Sequence, residues 1–340
     1  MRISFSRIFF ESVHGDKTDS IWPFIIIAWL IFLFQGTKVS DVDYPNIFKA
    51  ILSSNISAIN PAKGYLLEGI LEDVIGLAYT GTDFQPQLLW WCSGVLLLAI
   101  VIMLSVRDRS IAFSDLILII AFSRLIDTLF LWVGKFDPFL LSFLVLTANK
   151  NKKIALAGIV LASFSHPSVA AISTVGVVFV EAAFTGVLFP AAIVVALAAA
   201  LTDISLFHYL FPSLLDRSGL VWSWISRVLR SGAHWGLITL VSSLLVPFLS
   251  IQYFREPLRF SSRVYAIMLG SWVILLAVVA CIALDHTRVA SLLTLAPLIT
   301  LLRVQRLRGD VTAQNFSKVF ALLFLARLVI PHIAEFGDIW

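Results

Sequence analysis

Charged side chains that could bind and transform a phosphate ester recur along this 340-residue chain. Guanidinium groups bind phosphate and pyrophosphate through paired hydrogen bonds, and an ammonium group adds a point charge. A carboxylate or an imidazole can take the proton from an attacking hydroxyl group. The candidate anion-binding residues are Lys135, Arg217, Arg227, Arg230 and Arg288, and the candidate acids and bases are Asp41, Asp43, Asp137, His166 and Asp285. These residue types fit a transfer reaction on an anionic substrate.

Each candidate also has a structural explanation that the sequence leaves open. Asp41 and Asp43 could supply a general base or a metal ligand, or they could end a helix in a solvated loop. The arginines of the 207–235 segment could extend to lipid head groups instead of binding substrate. A lone histidine such as His166 is more often a structural residue than a catalyst. Since Pro167 follows it, we expect His166 to end a helix.

Arg124 is a further candidate, because it lies in an apolar run that predicts a helix. Charged residues are costly in hydrocarbon and usually mark a functional position there. Asp127 follows three residues later on the same helix face, so the two side chains can also pair with each other. Arg124 could therefore contact an anionic substrate or form an ion pair that closes the helix bundle.

The composition predicts a polytopic membrane protein. Hydrophobic residues make up 59% of the chain and charged residues 14%, and the mean hydropathy of +0.94 lies outside the range of soluble domains. The predicted fold is all-α, with about ten or eleven spans. The apolar runs are 21–36, 88–106, 111–134, 139–148, 154–165, 169–184, 187–206, 236–253, 265–284, 289–302 and 316–333.

Charge distribution predicts the orientation of these spans. Basic clusters at 107–109, 150–153, 255–263 and 303–308 fall on one side if the runs alternate in direction, and that side is then cytoplasmic. A single membrane domain covers 1–340, with 1–19 in the cytoplasm. Amphipathic helices in the interface plane are expected in 37–87, although 64–82 could span the membrane. The arginine-rich 207–235 loop and the other candidate residues then share the extracytoplasmic face.

Several other functions lack the residues they need. The chain has no glycine-rich phosphate loop, no HExxH and no GxSxG motif, which argues against nucleotide hydrolysis, zinc proteolysis and serine-hydrolase chemistry. Its two cysteines lie in apolar runs, so no disulfide framework or cysteine metal site is expected. We expect no metal, no cofactor, no signal peptide and no nucleic-acid partner.

Four motifs give the chain a resemblance to a known family. They are SDVDYPNIF, NPAKGYLLEGIL, AFSRLIDTLFL and NKNKKIALAGIVLASFSHPS, which together cover 41–168. In these segments the chain resembles the Wzy/EpsG-type membrane proteins of bacterial polysaccharide assembly. It departs from their pattern at Leu125, where the family commonly has glutamine, and at Pro167, where an aromatic or small residue is frequent. These departures leave open whether a polymerase or a related transferase is the nearer match.

The resemblance implies a fold like that of the GT-C glycosyltransferases, with Arg124 and His166 as functional residues. It also implies an inner-membrane glycan polymerase that joins oligosaccharide repeats carried on undecaprenyl pyrophosphate at the periplasmic face. Membrane lipids and a chain-length regulator are the implied partners. Three alternatives remain at this point: a transferase that uses a polyprenyl-monophosphate sugar, a flippase for lipid-linked oligosaccharides, and a secondary transporter.

Overall fold

The computed structural model describes residues 38–39, 67, 84–111, 119, 129, 132–133, 136–210, 260–282 and 286–306. Seven helices make up most of this part of the chain, so the predicted all-α fold class is confirmed. In chain order they are α1 (Phe84–Arg107), α2 (Asp137–Thr147), α3 (Lys152–Ser165), α4 (Pro167–Thr185), α5 (Pro190–Leu210), α6 (Arg263–Ile282) and α7 (His286–Arg306).

Local sequence signals explain where these helices begin and end. Pro138, Pro167 and Pro190 lie in the first turns of α2, α4 and α5, where a missing N–H group has no cost. The side chain of Asn151 caps α3 by accepting a hydrogen bond from the Lys153 N–H at 3.0 Å. Gly186 ends α4 with a φ of 77°, a left-handed conformation that glycine adopts without strain.

A short pair of strands is the exception to the helical fold. Strand β1 (Lys38–Val39) pairs in parallel with β2 (Trp132–Val133), with Lys38 opposite Trp132. The expectation that a helix continues from 111 to 134 is therefore wrong for its last residues. Tryptophan and valine fit an extended, paired backbone well, and the apolar run alone does not distinguish this conformation from helix.

Helix α4 lies at the centre of the bundle and packs against α3, α5, α6 and α7. Its contact with α6 depends on Gly176, because a Cβ atom there would overlap the indole ring of Trp272 and lie 2.8 Å from Cγ of Pro297 in α7. The indole N–H of Trp272 donates to the carbonyl oxygen of Ile172 at 2.9 Å. This bond fixes the ring against α4.

The described residues of the basic clusters lie at one end of the bundle. Asn149, after α2, donates to Asp108, after α1, and Arg303 near the end of α7 donates to the carbonyl oxygen of Ala148. The N–H of Ser261, just before α6, donates to the carbonyl oxygen of Ala183 near the end of α4 at 2.8 Å. We call this the basic end.

The opposite end, which we call the His166 end, carries the α3–α4 junction and the starts of α2 and α7. Along α3, at ~1.5 Å per residue, the two ends are about 20 Å apart.

Apolar and polar side chains are distributed in an unusual way. Large apolar side chains are exposed on the outer faces of α1, α5 and α6, including Leu96 at 62%, Leu201 at 63% and Ile267 at 69%. Polar side chains are buried between the helices, including Asp137, Asn149, Asp203 and Arg303. In a protein surrounded by water, exposed apolar faces of this kind and buried charged side chains are both uncommon.

One described helix, α4, is long and apolar enough to cross a membrane by length and composition. Most of its apolar window is buried by its neighbours.

Candidate functional site

Two of the predicted site residues have described side chains, namely Asp137 and His166. Arg288 lies in the first turn of α7, and only its backbone position is described. The others lie outside the described residues: Asp41, Asp43, Arg124, Lys135, Arg217, Arg227, Arg230 and Asp285. The amphipathic segment 37–87 and the loop 207–235 lie mostly outside them as well.

Asp137 is the first residue of α2, and its side chain is only 1% exposed. A carboxylate in the first turn of a helix is stabilised by the positive end of the helix dipole. Phe136 precedes it and stacks on Phe139, with ring centroids 5.2 Å apart. A loop carboxylate was expected here, whereas the structure shows a buried one at a helix start.

His166 joins α3 to α4, which confirms that it ends a helix. Its backbone N–H donates to the Ala162 carbonyl oxygen at 2.8 Å, and its own carbonyl oxygen accepts from the Ala170 N–H at 3.0 Å. Nδ1 of the ring lies 3.3 Å from Oγ of Ser168. Both helix contacts are thus made by the backbone, and the imidazole is partly exposed.

The strand pair lies near this end of the bundle. Strand β2 contacts α1, and Leu129, just before β2, accepts a hydrogen bond from the indole of Trp91 in the first half of α1. Strand β2 also precedes Asp137 by only a few residues. The structure thus brings the chain after the first predicted span to the end of the bundle where Asp137 and His166 lie.

The basic end contains a hydrogen-bonded cluster that joins the loops after α1 and α2. Asn149 Nδ2 donates to Asp108 Oδ2 at 2.9 Å, the Ser110 N–H donates to Asp108 Oδ1 at 2.8 Å, and the Lys150 ammonium donates to the Asp108 carbonyl oxygen. Partial burial raises the pKa of Asp108, but the bonds from Asn149 and Ser110 and the charge of Lys150 lower it, and the net shift is downward.

A second charged cluster connects α3, α4 and α7 at the same end. Lys152 Nζ lies 2.6 Å from Glu181 Oε2, and Arg303 lies 3.6 Å from Glu181 Oε1. The Lys152 ammonium also lies 5.0 Å above the ring of Phe189. These polar groups enclose a cavity of only about 10 Å³, room for no more than one water molecule. The described part of the basic end is therefore closed by paired charges.

Glu181 and Asn149 were not identified from the sequence. Glu181 is the one acidic residue in the otherwise apolar helix α4, and that isolation is a signal that marks positions of structural or functional importance. Asn149 belongs to the NKNKK segment. The lysines of this segment indicate a basic cluster, and they give no indication of a role for the amide side chain. Its partner Asp108 is 41 residues away, so no local pattern reveals the contact.

The two ends differ in what they can do chemically. At the basic end Glu181 pairs with Lys152 and Arg303 across helices, which suits a structural role. At the His166 end a buried carboxylate, an imidazole and a hydroxyl group lie at helix starts, which suits proton transfer. Among the residues that the structure describes, no three histidine, cysteine or acidic side chains are grouped so that they could hold a metal ion.

Comparisons with models of protein families, with curated proteins and with solved structures find no match to this chain.

Proposed function

We propose that this chain is a polytopic membrane protein that transfers glycans from a polyprenyl-pyrophosphate carrier at its His166 end. The observation that carries the proposal is the separation of the two ends. The described paired charges gather at the basic end, whereas Asp137, His166 and the first turn of α7 gather at the opposite one.

Membrane embedding accounts for the exposed apolar faces of α1, α5 and α6. In water, surfaces of this kind promote association, whereas in a bilayer they contact lipid without cost. The buried polar groups fit the same environment, because a polar side chain in a membrane protein normally faces the bundle interior. Helices as short as α2 and α3 are tolerated where other helices cover their ends.

Glycan transfer is supported by the motifs at 41–168 and by the chemistry available at the His166 end. In the proposed reaction, the hydroxyl oxygen of an acceptor sugar attacks the anomeric carbon of the donor sugar. The bond from that carbon to the pyrophosphate oxygen breaks, and its electron pair leaves with the pyrophosphate. His166 takes the proton of the attacking hydroxyl group, with Asp41, Asp43, Asp137 and Asp285 as the other candidate bases.

The negative charge that develops on the leaving pyrophosphate needs cationic partners. Arg288, in the first turn of α7, is proposed to bind it. Arg124, Lys135, Arg217, Arg227 and Arg230 are proposed to assist. A phosphate leaving group stabilised in this way requires no metal ion for the transfer step.

A glycolipid ladder from cells that lack the gene tests this proposal. The cells are complemented with the wild type, His166→Ala or Asp137→Asn, and with Lys153→Gln as a control at the basic end. His166→Ala is informative because the helix contacts of residue 166 are made by its backbone. We expect the ladder to be lost with His166→Ala while single-repeat glycolipid accumulates outside.

Other outcomes of this experiment would overturn the proposal. Accumulation of single repeats on the cytoplasmic leaflet would identify a flippase. Loss of one sugar from every repeat would identify a transferase that uses a polyprenyl-monophosphate sugar. An unchanged ladder in cells without the gene would exclude this chain from polymer assembly altogether.

A further inference from the structure

A groove of about 240 Å³ lies between α4, α6 and α7, in the half of the bundle nearer the basic end. Its lining is apolar, with Val180, Leu269, Val273, Pro297, Leu298 and Leu301 among the residues. Trp272 also lines it, but its indole N–H is bonded to Ile172, so the ring presents only carbon to the groove. The volume equals that of about eight water molecules, yet most of the lining surface is carbon and offers them few partners. Hydrocarbon suits this groove better than water does.

The groove is open where Gly270 forms part of its wall. A Cβ atom built on Gly270 would meet nothing within 4 Å, although the residue lies in the middle of α6. Next to this opening, α6 presents Ile267 and Ile274, which are 69% and 67% exposed. The groove is thus continuous with an apolar outer surface, from which a hydrocarbon chain could enter it sideways.

A positive charge lies at the end of the groove. Arg263 is exposed and begins α6. The groove residues Ala266, Gly270 and Val273 follow it at intervals of three and four, so all four residues share one face of the helix. Phe260, which also lines the groove, precedes Arg263 by three residues. Arg263 therefore lies on the helix face that lines the groove, one turn before Ala266 and on the side of the basic end, where its positive charge suits a negatively charged group.

From this arrangement we propose that the groove binds an anionic glycerophospholipid, with an acyl chain along Gly270 and the phosphate at Arg263. The site is distinct from the glycan site, which lies at the other end of the bundle. The proposal rests on the membrane embedding argued above and does not depend on glycan transfer. Its effect would be to fix α6 and α7 against α4 through a lipid of the surrounding bilayer.

Native mass spectrometry of the full chain in a neutral detergent tests the site. The protein is titrated with phosphatidylglycerol and with phosphatidylcholine of identical acyl chains, and bound copies are counted. We expect phosphatidylglycerol to bind the wild type more tightly. Arg263→Gln should weaken that binding about fivefold and remove the preference, since one basic residue near a membrane surface contributes about that factor.

Filling the groove tests the acyl chain. Gly270→Trp should weaken the binding of both lipids, because the indole would occupy the open space beside Gly270. Gly270→Leu provides a smaller obstruction if the tryptophan variant does not fold. Leu201→Trp, on the exposed face of α5, and Lys153→Gln, an exposed cation at the basic end, are the matched controls and should bind both lipids as the wild type does.

Several results would overturn the proposal. Equal binding of the two lipids by the wild type would show that the site does not select an anionic head group. Unchanged binding in both Gly270 variants would place the lipid elsewhere. A change from a dimer to a monomer in Gly270→Trp would show that a second copy of the chain, and not a lipid, occupies the groove. These lipid-binding results do not depend on whether His166→Ala loses the glycolipid ladder.

Discussion

The side-chain amide of Asn149 donates a 2.9 Å hydrogen bond to the carboxylate of Asp108, and this contact joins the loops that follow α1 and α2. The two residues belong to separate basic clusters of the sequence. Each loop contributes charge, yet the bond between them is formed by the acid of one and the amide of the other. The contact thus fixes the basic end while leaving the neighbouring cations at the surface.

This relationship predicts an acid-sensitive contribution to stability. The pKa of Asp108 is lower in the folded protein than in the unfolded chain, so its contribution is present above the unfolded pKa and is lost as the pH falls through the folded value. Asp108→Asn should lower the melting temperature at pH 7 relative to the wild type. The difference should shrink below about pH 4, where the wild-type carboxyl group becomes protonated.

Thermal unfolding in detergent from pH 7 to pH 3 measures this difference. A constant gap between the two proteins over that range would show that the Asp108 carboxylate contributes nothing through its charge.

Loss of Glu181 should cost more stability than loss of its exposed partner Lys152. Glu181→Gln leaves the Arg303 guanidinium, whose side chain is 9% exposed, without its carboxylate, and we expect a loss of about 2 kcal/mol. Lys152→Gln should cost about 0.5 kcal/mol, because its side chain is 43% exposed and water screens the pair.

Unfolding of the two single variants and of Arg303→Met with Glu181→Leu tests the ranking. Replacement of both buried partners should recover much of the loss of Glu181→Gln, since the only charge then left without its partner is the exposed Lys152 ammonium. Equal losses of stability for the Lys152 and Glu181 variants would show that Arg303 does not need the Glu181 carboxylate.

Two glycines on facing helices should respond in opposite ways to alanine. At Gly176 a methyl group overlaps the Trp272 ring, which is held by its bond to Ile172, and we expect a loss of about 1–3 kcal/mol. At Gly270 a methyl group meets open space, and the higher helix propensity of alanine should stabilise the protein by up to about 1 kcal/mol. Comparison of the melting temperatures of Gly176→Ala and Gly270→Ala is the measurement.

Cys92 reports on membrane embedding, because its side chain is exposed and lies in the apolar helix α1. In a Cys281→Ala background, a water-soluble maleimide should leave Cys92 unmodified in membrane vesicles and modify it after unfolding in detergent, since the reagent does not enter the hydrocarbon layer. Lys153→Cys, in a Cys-free background, should react in permeabilised vesicles. Rapid modification of Cys92 in intact membranes would show that this face contacts water.

The sequence predicted helices well and side-chain partners poorly. Long apolar runs bounded by charged or proline residues define α1, α4 and α6 to within a few residues, since length and composition leave no other structure for them. The break at His166 follows from Pro167, because a proline disfavours the helical conformation in the residue that precedes it. These are local properties, and each is contained in a short window.

The residues that close the basic end could not be predicted in the same way. Arg303 donates to the carbonyl oxygen of Ala148, which lies 155 residues earlier in the chain. The apolar pattern of α7 does not indicate that partner. The strand pairing of Lys38–Val39 with Trp132–Val133 is equally non-local. Burial of Asp137 depends on how α1, α2 and α7 meet, which a helix-by-helix interpretation does not specify.

The described polar contacts between α4 and α7 are distributed unevenly along the bundle, and this has a mechanical consequence. Glu181 and Arg303 hold α4 to α7 at the basic end, whereas Ser173 on α4 and Ser291 on α7 are buried and form no hydrogen bond within the described structure. A tilt of α4 against α7 about this ion pair would break no hydrogen bond at these hydroxyls. His166 lies 15 residues from Glu181, about 22 Å along α4, and a tilt of about 5° therefore displaces the imidazole by about 2 Å.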